Sequence, residues 1–349
     1  MNGGSEFIRR FTIQAVKIRA SDLHVKADSI PMFRVDGELL SVGEKTISSD
    51  EIKIMLSNIL KEKVEEYNLC GEYDIGYELK EIGRFRVNAF KSRGKDSISI
   101  RVVNEKIISL DELCMFNTIR NFTKESSGLI LISGATGSGK STTIASMLEE
   151  INETRACHII TLEEPIEYIY KDKKSIISQR EIGKDTKGYE EGIKAALRED
   201  PDVIFIGEMR DINTIKIAIT AAETGHLVLS TLHAVGACEA ISRVINVFPK
   251  EQQEEIKMEL SLVLKGIVWQ KLIKKKGDKG RCAAMEIMNV TPAIKNLIRE
   301  GKVYQIKSSI EIGGKYGMVT IERFVTELYR RGVIDEKQTK INSYATNDV

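Results

Sequence analysis

The sequence predicts an α/β protein in which a small α+β domain, residues 1–103, precedes a larger α/β domain, residues 104–349. Three observations predict it. Short strand-like segments dominate the first hundred residues, whereas buried-strand runs alternate with helical stretches after about residue 105. A glycine-rich segment joins one of those runs to a helix. The length of 349 residues is also enough for two domains.

In the first domain, apolar positions at residues 7–20 have helical spacing, and residues 49–60 predict a second helix. Asp36-Gly37 lies between two apolar runs, which is typical of a hairpin turn. The predicted strands are residues 23–25, 32–35, 38–42, 84–90 and 98–103.

The second domain has short apolar runs separated by helical stretches, a pattern that indicates a parallel sheet covered by helices. These runs are residues 129–132, 159–162, 203–206 and 226–229. Beyond about residue 250 we expect a mostly helical chain with a basic turn at residues 274–281.

Composition and charge limit the classes of function that the protein can have. Apolar residues make up 42% and charged residues 30%, which suits a globular protein. The 52 basic and 51 acidic residues nearly cancel, so we expect no nucleic-acid partner. We see neither a run of about 18 apolar residues nor a signal peptide, and therefore expect a cytoplasmic protein that meets a membrane only through partners.

Residues 134–141, Gly-Ala-Thr-Gly-Ser-Gly-Lys-Ser, match the P-loop pattern at every fixed position. Glycines let the backbone amides approach phosphates, and the helix that follows adds its positive end. We expect Lys140 to reach the β and γ phosphates of ATP, and the Ser141 hydroxyl to bind Mg²⁺. The predicted nucleotide-binding residues are Gly134, Ala135, Thr136, Gly137, Ser138, Gly139, Lys140, Ser141 and Thr142.

Two acidic positions follow predicted strands. Glu208 ends an apolar run, which is the form of a Walker B element that places an acid near Mg²⁺, partly through water, or near the attacking water. Glu163, Glu164 and Glu167 form a second cluster, which a metal-bound nucleotide would stabilise because clustered carboxylates repel each other. An ordinary strand-end glutamate and a solvated loop are the respective alternatives.

Two of the chain's four histidines, His226 and His233, lie at the last predicted strand. A zinc site would need further ligands, and no cysteine or third histidine is suitably spaced. The five cysteines are scattered, which also disfavours disulfides. We therefore expect His233 to sense the γ-phosphate by hydrogen bonding.

Beyond the P-loop, these motifs resemble the secretion-type hexameric ATPases, and among them the retraction ATPases of type IV pili. The resemblance extends from about Ala20 to Arg331. The segments that carry it, besides the P-loop, are residues 20–24, 34–37, 83–88, 163–167, 197–202, 225–233 and 248–253.

The resemblance implies a RecA-like P-loop NTPase core, a PAS-like N-terminal domain and a homo-hexameric ring with ATP between the two domains of a subunit. It implies that Glu163 polarises the attacking water and that Glu208 acts through Mg²⁺, although these two roles could be exchanged. Arg86 and Arg101 match the family's N-domain arginines that cover the γ-phosphate, and Arg84 is a weaker match.

The resemblance also implies a motor that drives pilus retraction and twitching motility. The four-cysteine insertion of the extension ATPases is missing, and residues 293–300 resemble the retraction ATPases' signature helix. The implied partner is the inner-membrane pilus platform protein, which places the motor at the inner face of the cell membrane. The alternatives are a paralogue that assists retraction or assembly, and a nucleic-acid-translocating RecA-like motor.

The chain departs from the family pattern at a few positions. Glu164 replaces an aspartate, Asn104 replaces a proline, and Lys295 replaces an arginine of the signature helix. Residues 192–194 replace a stretch that usually contains an arginine, so any role of that arginine is not carried over.

Overall fold

The computed structural model describes residues 3–339 except 19, 36, 80–81, 104–106, 114–116 and 279, and does not describe the side chains of residues 3–6 and 278. The predicted turn at Asp36 and the departure at Asn104 therefore lie outside the described residues. The chain divides into two compact units, Met1–Lys106 and Ile107–Val349. The assignment of residues 1–103 to a PAS-like domain stays a prediction.

The strands of the first unit form an antiparallel sheet in the order β3-β2-β1-β6-β5-β4. They are β1 (Asp22–Lys26), β2 (Met32–Val35), β3 (Glu38–Ser41), β4 (Glu72–Leu79), β5 (Gly83–Ser92) and β6 (Lys95–Val103). The helices are α1 (Gly3–Lys17), α2 (Ser49–Leu60) and α3 (Val64–Cys70).

One face of this sheet is apolar and the other is polar. In β5, Phe85 and Val87 are buried, and the alternate residues Arg84 and Arg86 are half-buried. Helices α1 and α2 pack against each other, and both contact β6. Because side chains alternate along a strand, covering one face with helices leaves the arginines on the opposite face.

The second unit is built on a larger sheet in the order β13-β12-β7-β11-β10-β8-β9. Every neighbouring pair is parallel except the hairpin of β12 and β13. The strands are β7 (Gly128–Ser133), β8 (His158–Glu163), β9 (Ile176–Glu181), β10 (Val203–Ile206), β11 (Leu227–Leu232), β12 (Leu264–Lys274) and β13 (Arg281–Asn289).

The helices of the second unit cover both faces of this sheet. They are α4 (Asn117–Phe122), α5 (Lys140–Thr154), α6 (Tyr189–Ala196), α7 (Ile212–Glu223), α8 (Gly236–Asn246), α9 (Gln253–Val263), α10 (Pro292–Arg299), α11 (Ile306–Ile312) and α12 (Ile321–Arg330). Leu129 and Leu131 of β7 belong to one buried cluster, and Ile130 and Ile132 belong to another. Both faces of the sheet are thus buried, which explains why its central strands are continuous apolar runs.

The predicted α/β class with a parallel sheet is confirmed. The prediction of a mostly helical chain beyond residue 250 is wrong between residues 264 and 289, where β12 and β13 form a hairpin. Most of Leu264–Gln270 is buried, so the alternation that marks a strand is missing. The predicted basic turn is the connection of this hairpin. Strands β4 and β9 were also not predicted.

No helix in the described part of the chain combines the length and the apolar character that a membrane-spanning helix requires.

Candidate active site

The predicted site residues of the second unit follow four neighbouring strands at the same edge of the sheet. The P-loop follows β7, His233 follows β11, Glu208 comes soon after β10, and Glu163 ends β8. Because these strands are parallel, their carboxyl ends lie together, which is where ligands bind in open α/β sheets. The fold therefore brings the four predicted features to one edge.

The backbone of the P-loop requires its glycines. Gly134, Gly137 and Gly139 have φ angles of +148°, +75° and +89°, a backbone conformation that residues other than glycine rarely adopt. A Cβ atom on Gly134 would lie 2.4 Å from the Gln270 carbonyl oxygen. Helix α5 begins directly after Gly139, so its amide groups point at the loop.

Lys140 and Ser138 make the loop suited to an anion. The Lys140 ammonium donates to the carbonyl oxygens of Gly134 at 2.7 Å and Ala135 at 3.1 Å. Burial lowers the pKa of Lys140, and the carboxylates of Glu208 and Glu167 oppose this. Ser138 Oγ is buried without a hydrogen-bond partner among the described residues. A polar atom left unpaired, a cation and a helix N-terminus together fit a nucleotide phosphate.

Of the remaining P-loop residues, Ala135 and Thr136 are exposed, whereas Ser141 and Thr142 are half-buried at the start of α5. The Thr142 hydroxyl lies 2.9 Å from the hydroxyl of Tyr168, a buried residue that sequence reasoning did not single out. This contact joins the first turn of α5 to the segment that follows the acidic cluster.

Glu163 is the buried member of that cluster, with 6% of its surface exposed, whereas Glu164 and Glu167 are exposed. Its Oε1 accepts hydrogen bonds from Thr161 Oγ1 at 2.7 Å and Gln179 Nε2 at 3.2 Å. Burial raises the pKa of Glu163 to about 7, although the two donors favour the charged form. A carboxyl group with a pKa near neutrality can accept a proton at physiological pH.

Glu208 lies between a cation and a histidine. Its Oε2 is 2.6 Å from the Arg210 guanidinium, and its Oε1 is 3.4 Å from His233 Nε2. Burial, followed by the charge of Lys140, lowers the pKa of His233, so the imidazole is neutral at pH 7. The contact between His233 and Glu208 is therefore polar rather than an ion pair.

Arg86 and Arg101 lie directly opposite each other on β5 and β6 of the first unit. Arg86 pairs with Asp74 at 3.2 Å, and Arg101 Nε donates to Asp22 Oδ1 at 2.9 Å. Together with Asn88 and Ser99, these four residues line a polar cavity of about 280 Å³. Like charges opposite each other are unfavourable, so each arginine is held by its own carboxylate. Arg84 lies two residues before Arg86, opposite Val103.

Sequence reasoning missed three further residues that contact this machinery. Arg210 lies only two positions after Glu208, so a local signal existed. Gln179 and Gln270 instead reach Glu163 and the P-loop from β9 and β12, the strands that pair with β8 and β7. For Gln270 the sequence offers only a weak indication of function, namely a polar residue within an apolar run.

A P-loop on a parallel sheet, with two carboxylates at the neighbouring strand ends, defines the class of P-loop ATPases. The family described as type II/IV secretion system protein matches residues 5–345. The chain therefore belongs to this family, and it is an ATPase.

Individual ATPases of type IV pili are similar to this chain along most of its length. The chain is 42% identical to the type IV pilus retractation ATPase PilT of Pseudomonas aeruginosa over 93% of this chain and 95% of that protein. It is 36% identical to the type IV pilus ATPase PilU of the same organism, over 94% and 86% of the two chains. A crystal structure of the pilus retraction motor PilT with bound ADP superposes with a TM-score of 0.87 at 39% identity, covering 97% of this chain and 98% of that one.

Proposed function

We propose that this protein is a motor ATPase that hydrolyses ATP to drive type IV pilus retraction by pilin depolymerisation, and hence twitching motility. The observation that carries the proposal is the convergence of the P-loop, Glu163, Glu208 and His233 at one sheet edge. The similarity to pilus retraction ATPases along nearly the whole chain supports it.

In this proposal residues 134–142 bind the phosphates of ATP, and Lys140 contacts the β and γ phosphates. Ser141 binds Mg²⁺ directly and Glu208 binds it partly through water. When bound, the ion supplies positive charge at the phosphate oxygens. The half-buried position of Ser141, one residue after Lys140, supports this assignment.

Glu163 is the proposed group that polarises the attacking water. Its Oε1 accepts from Thr161 and Gln179, and the backbone N–H of Glu167 also donates to the carboxylate, so these contacts hold the group in place. Its pKa of about 7 means that the carboxylate takes up a proton more readily than an exposed one. Glu208 is the alternative base, and its carboxylate is paired with Arg210.

His233 is the proposed sensor of the γ-phosphate. Its neutral imidazole lies beside Glu208, so it can exchange hydrogen bonds when a phosphate enters or leaves. Arg86 and Arg101 are the proposed cations that cover the γ-phosphate. An arginine in this role contributes roughly 10³–10⁵ in rate.

Mechanical work follows from this division of roles. We propose a homo-hexamer of subunits with a PAS-like and a RecA-like domain, in which loss of γ-phosphate contacts changes the angle between the domains. The moving partner is the inner-membrane pilus platform protein, and the ring is a cytoplasmic, peripheral assembly at the inner face of the membrane. A paralogue that assists retraction or assembly is the second candidate, since the chain is also 36% identical to a second type IV pilus ATPase of the same organism.

Deletion of the gene in its host tests the proposal. We expect excess surface pili without twitching, restored by the wild-type gene but not by Lys140→Ala. Absent pili would assign the protein to assembly and overturn the proposal. Retained twitching would favour the assisting paralogue. Immunoblotting for equal amounts of wild type and variant is the control.

A further inference from the structure

Gln270 lies in β12, directly beside the strand that leads into the P-loop. The preceding residue, Trp269, pairs with Ser133, the last residue of β7. Only 1% of the Gln270 surface is exposed. A buried amide requires hydrogen-bond partners, and both of its partners belong to the loop or to the helix that follows it.

The side chain makes two hydrogen bonds of opposite sense. Its Nε2 donates to the Ser138 carbonyl oxygen at 2.8 Å, and its Oε1 accepts from the Thr143 hydroxyl at 2.8 Å. Gly139 lies against the same amide, because a Cβ atom there would be 3.1 Å from Gln270 Nε2. The Gln270 backbone carbonyl packs still more closely against Gly134, where a Cβ atom would be 2.4 Å from its oxygen. Gln270 therefore contacts both ends of the loop.

These contacts fix the orientation of one peptide group. The Ser138 carbonyl and the Gly139 amide belong to the same planar trans peptide, so they point in opposite directions. Holding the carbonyl against Gln270 turns the Gly139 N–H away from β12. Backbone N–H groups of a P-loop are the donors to nucleotide phosphates.

We propose that Gln270 is a positioning residue that holds the Ser138 carbonyl and thereby presents the Gly139 amide to the nucleotide phosphates. The inference rests on nucleotide binding by the P-loop, as in the proposed function. Glutamine suits the position because one amide supplies both the donor and the acceptor. Glutamate has no donor for the carbonyl, and methionine matches the shape without either hydrogen bond.

The test compares Gln270→Met with Gln253→Met in the full-length protein. Gln253 also donates from its amide to a backbone carbonyl, that of Phe248 at 3.0 Å, but it lies in α9. We expect Gln270→Met to raise the Kd of a fluorescent ADP analogue about tenfold, the scale of one lost hydrogen bond. The KM for ATP should rise in parallel, with kcat changed by less than about twofold. Gln253→Met should leave Kd and KM unchanged.

Thr143→Val is the second variant, since it removes the partner of Gln270 Oε1 and leaves β12 intact. A Kd raised about threefold would support the proposal, on the same hydrogen-bond scale. A lower Tm with unchanged Kd in Gln270→Met would show a purely structural role and overturn the proposal. If Gln270→Met does not fold, the same result in Thr143→Val would overturn it. Wild-type protein that binds no nucleotide would instead reject the proposed function.

Discussion

Replacing Glu163 by glutamine should stabilise the protein while it slows turnover. Folding raises the pKa of this carboxyl from 4.5 to about 7. The folded state therefore keeps a proton that the unfolded state loses, and wild-type stability falls as the pH rises from about 4.5 through about 7. This difference in pKa lowers the free energy of unfolding of the wild type by about 3 kcal/mol at pH 8. Glutamine keeps an acceptor for Thr161 and Gln179 but carries no charge.

Nucleotide-free Tm measured from pH 5 to pH 8 at one protein concentration gives the first readout. The variant should match wild type near pH 5 and exceed it by several degrees at pH 8. Turnover should fall by about 10²–10⁴, the usual contribution of a general base. Wild-type turnover should rise with pH through about 7, because only the ionised carboxylate accepts a proton.

Glu251→Gln is the matched control, since this glutamate is exposed in the same unit and should change neither property. Equal melting curves of Glu163→Gln and wild type at pH 8 would refute the reasoning about buried charge. Unchanged turnover would assign the base to another residue, with Glu208 the next to test.

Three further outcomes follow from the geometry. Arg86→Ala and Arg101→Ala should each lower ATP turnover by about 10³–10⁵, while gel filtration shows intact oligomers. Lys95→Ala, which removes an exposed ion pair, is the control and should leave turnover unchanged. Normal turnover of both arginine variants would exclude the proposed role. Glu208→Gln should raise the Mg²⁺ concentration needed for half-maximal turnover, and an unchanged titration would contradict its metal role. Gly134→Ala should abolish nucleotide binding in a fluorescence assay, because its Cβ meets a β12 carbonyl at 2.4 Å; retained affinity would contradict that.

The sequence predicted the parts of the site that are local or follow from strand order. The P-loop is contiguous, so its residue types alone indicate phosphate binding. Glu163, Glu208 and His233 each follow an apolar run, and parallel strands bring such positions together. Burial of Glu163 and exposure of Glu164 were not predictable, because both residues stand at the same strand end.

Other features depend on contacts that no local pattern encodes. Gln179 reaches Glu163 from β9, a strand with partly exposed residues and no clear alternation. Gln270 was hidden because the hairpin of β12 and β13 was predicted as helix. An apolar run buried on both faces has the same composition in a helix and in a strand, so only its neighbours in the sheet decide between them.

The contact between Gln270 and Ser138 spans 132 residues of chain. During synthesis the loop therefore leaves the ribosome long before the strand that anchors it. A nascent chain that ends before Leu264 has the complete P-loop motif but lacks the neighbour of β7 on that side. We therefore expect nucleotide to bind such a chain more weakly than one in which β12 has joined the sheet, so its binding favours this later step of folding.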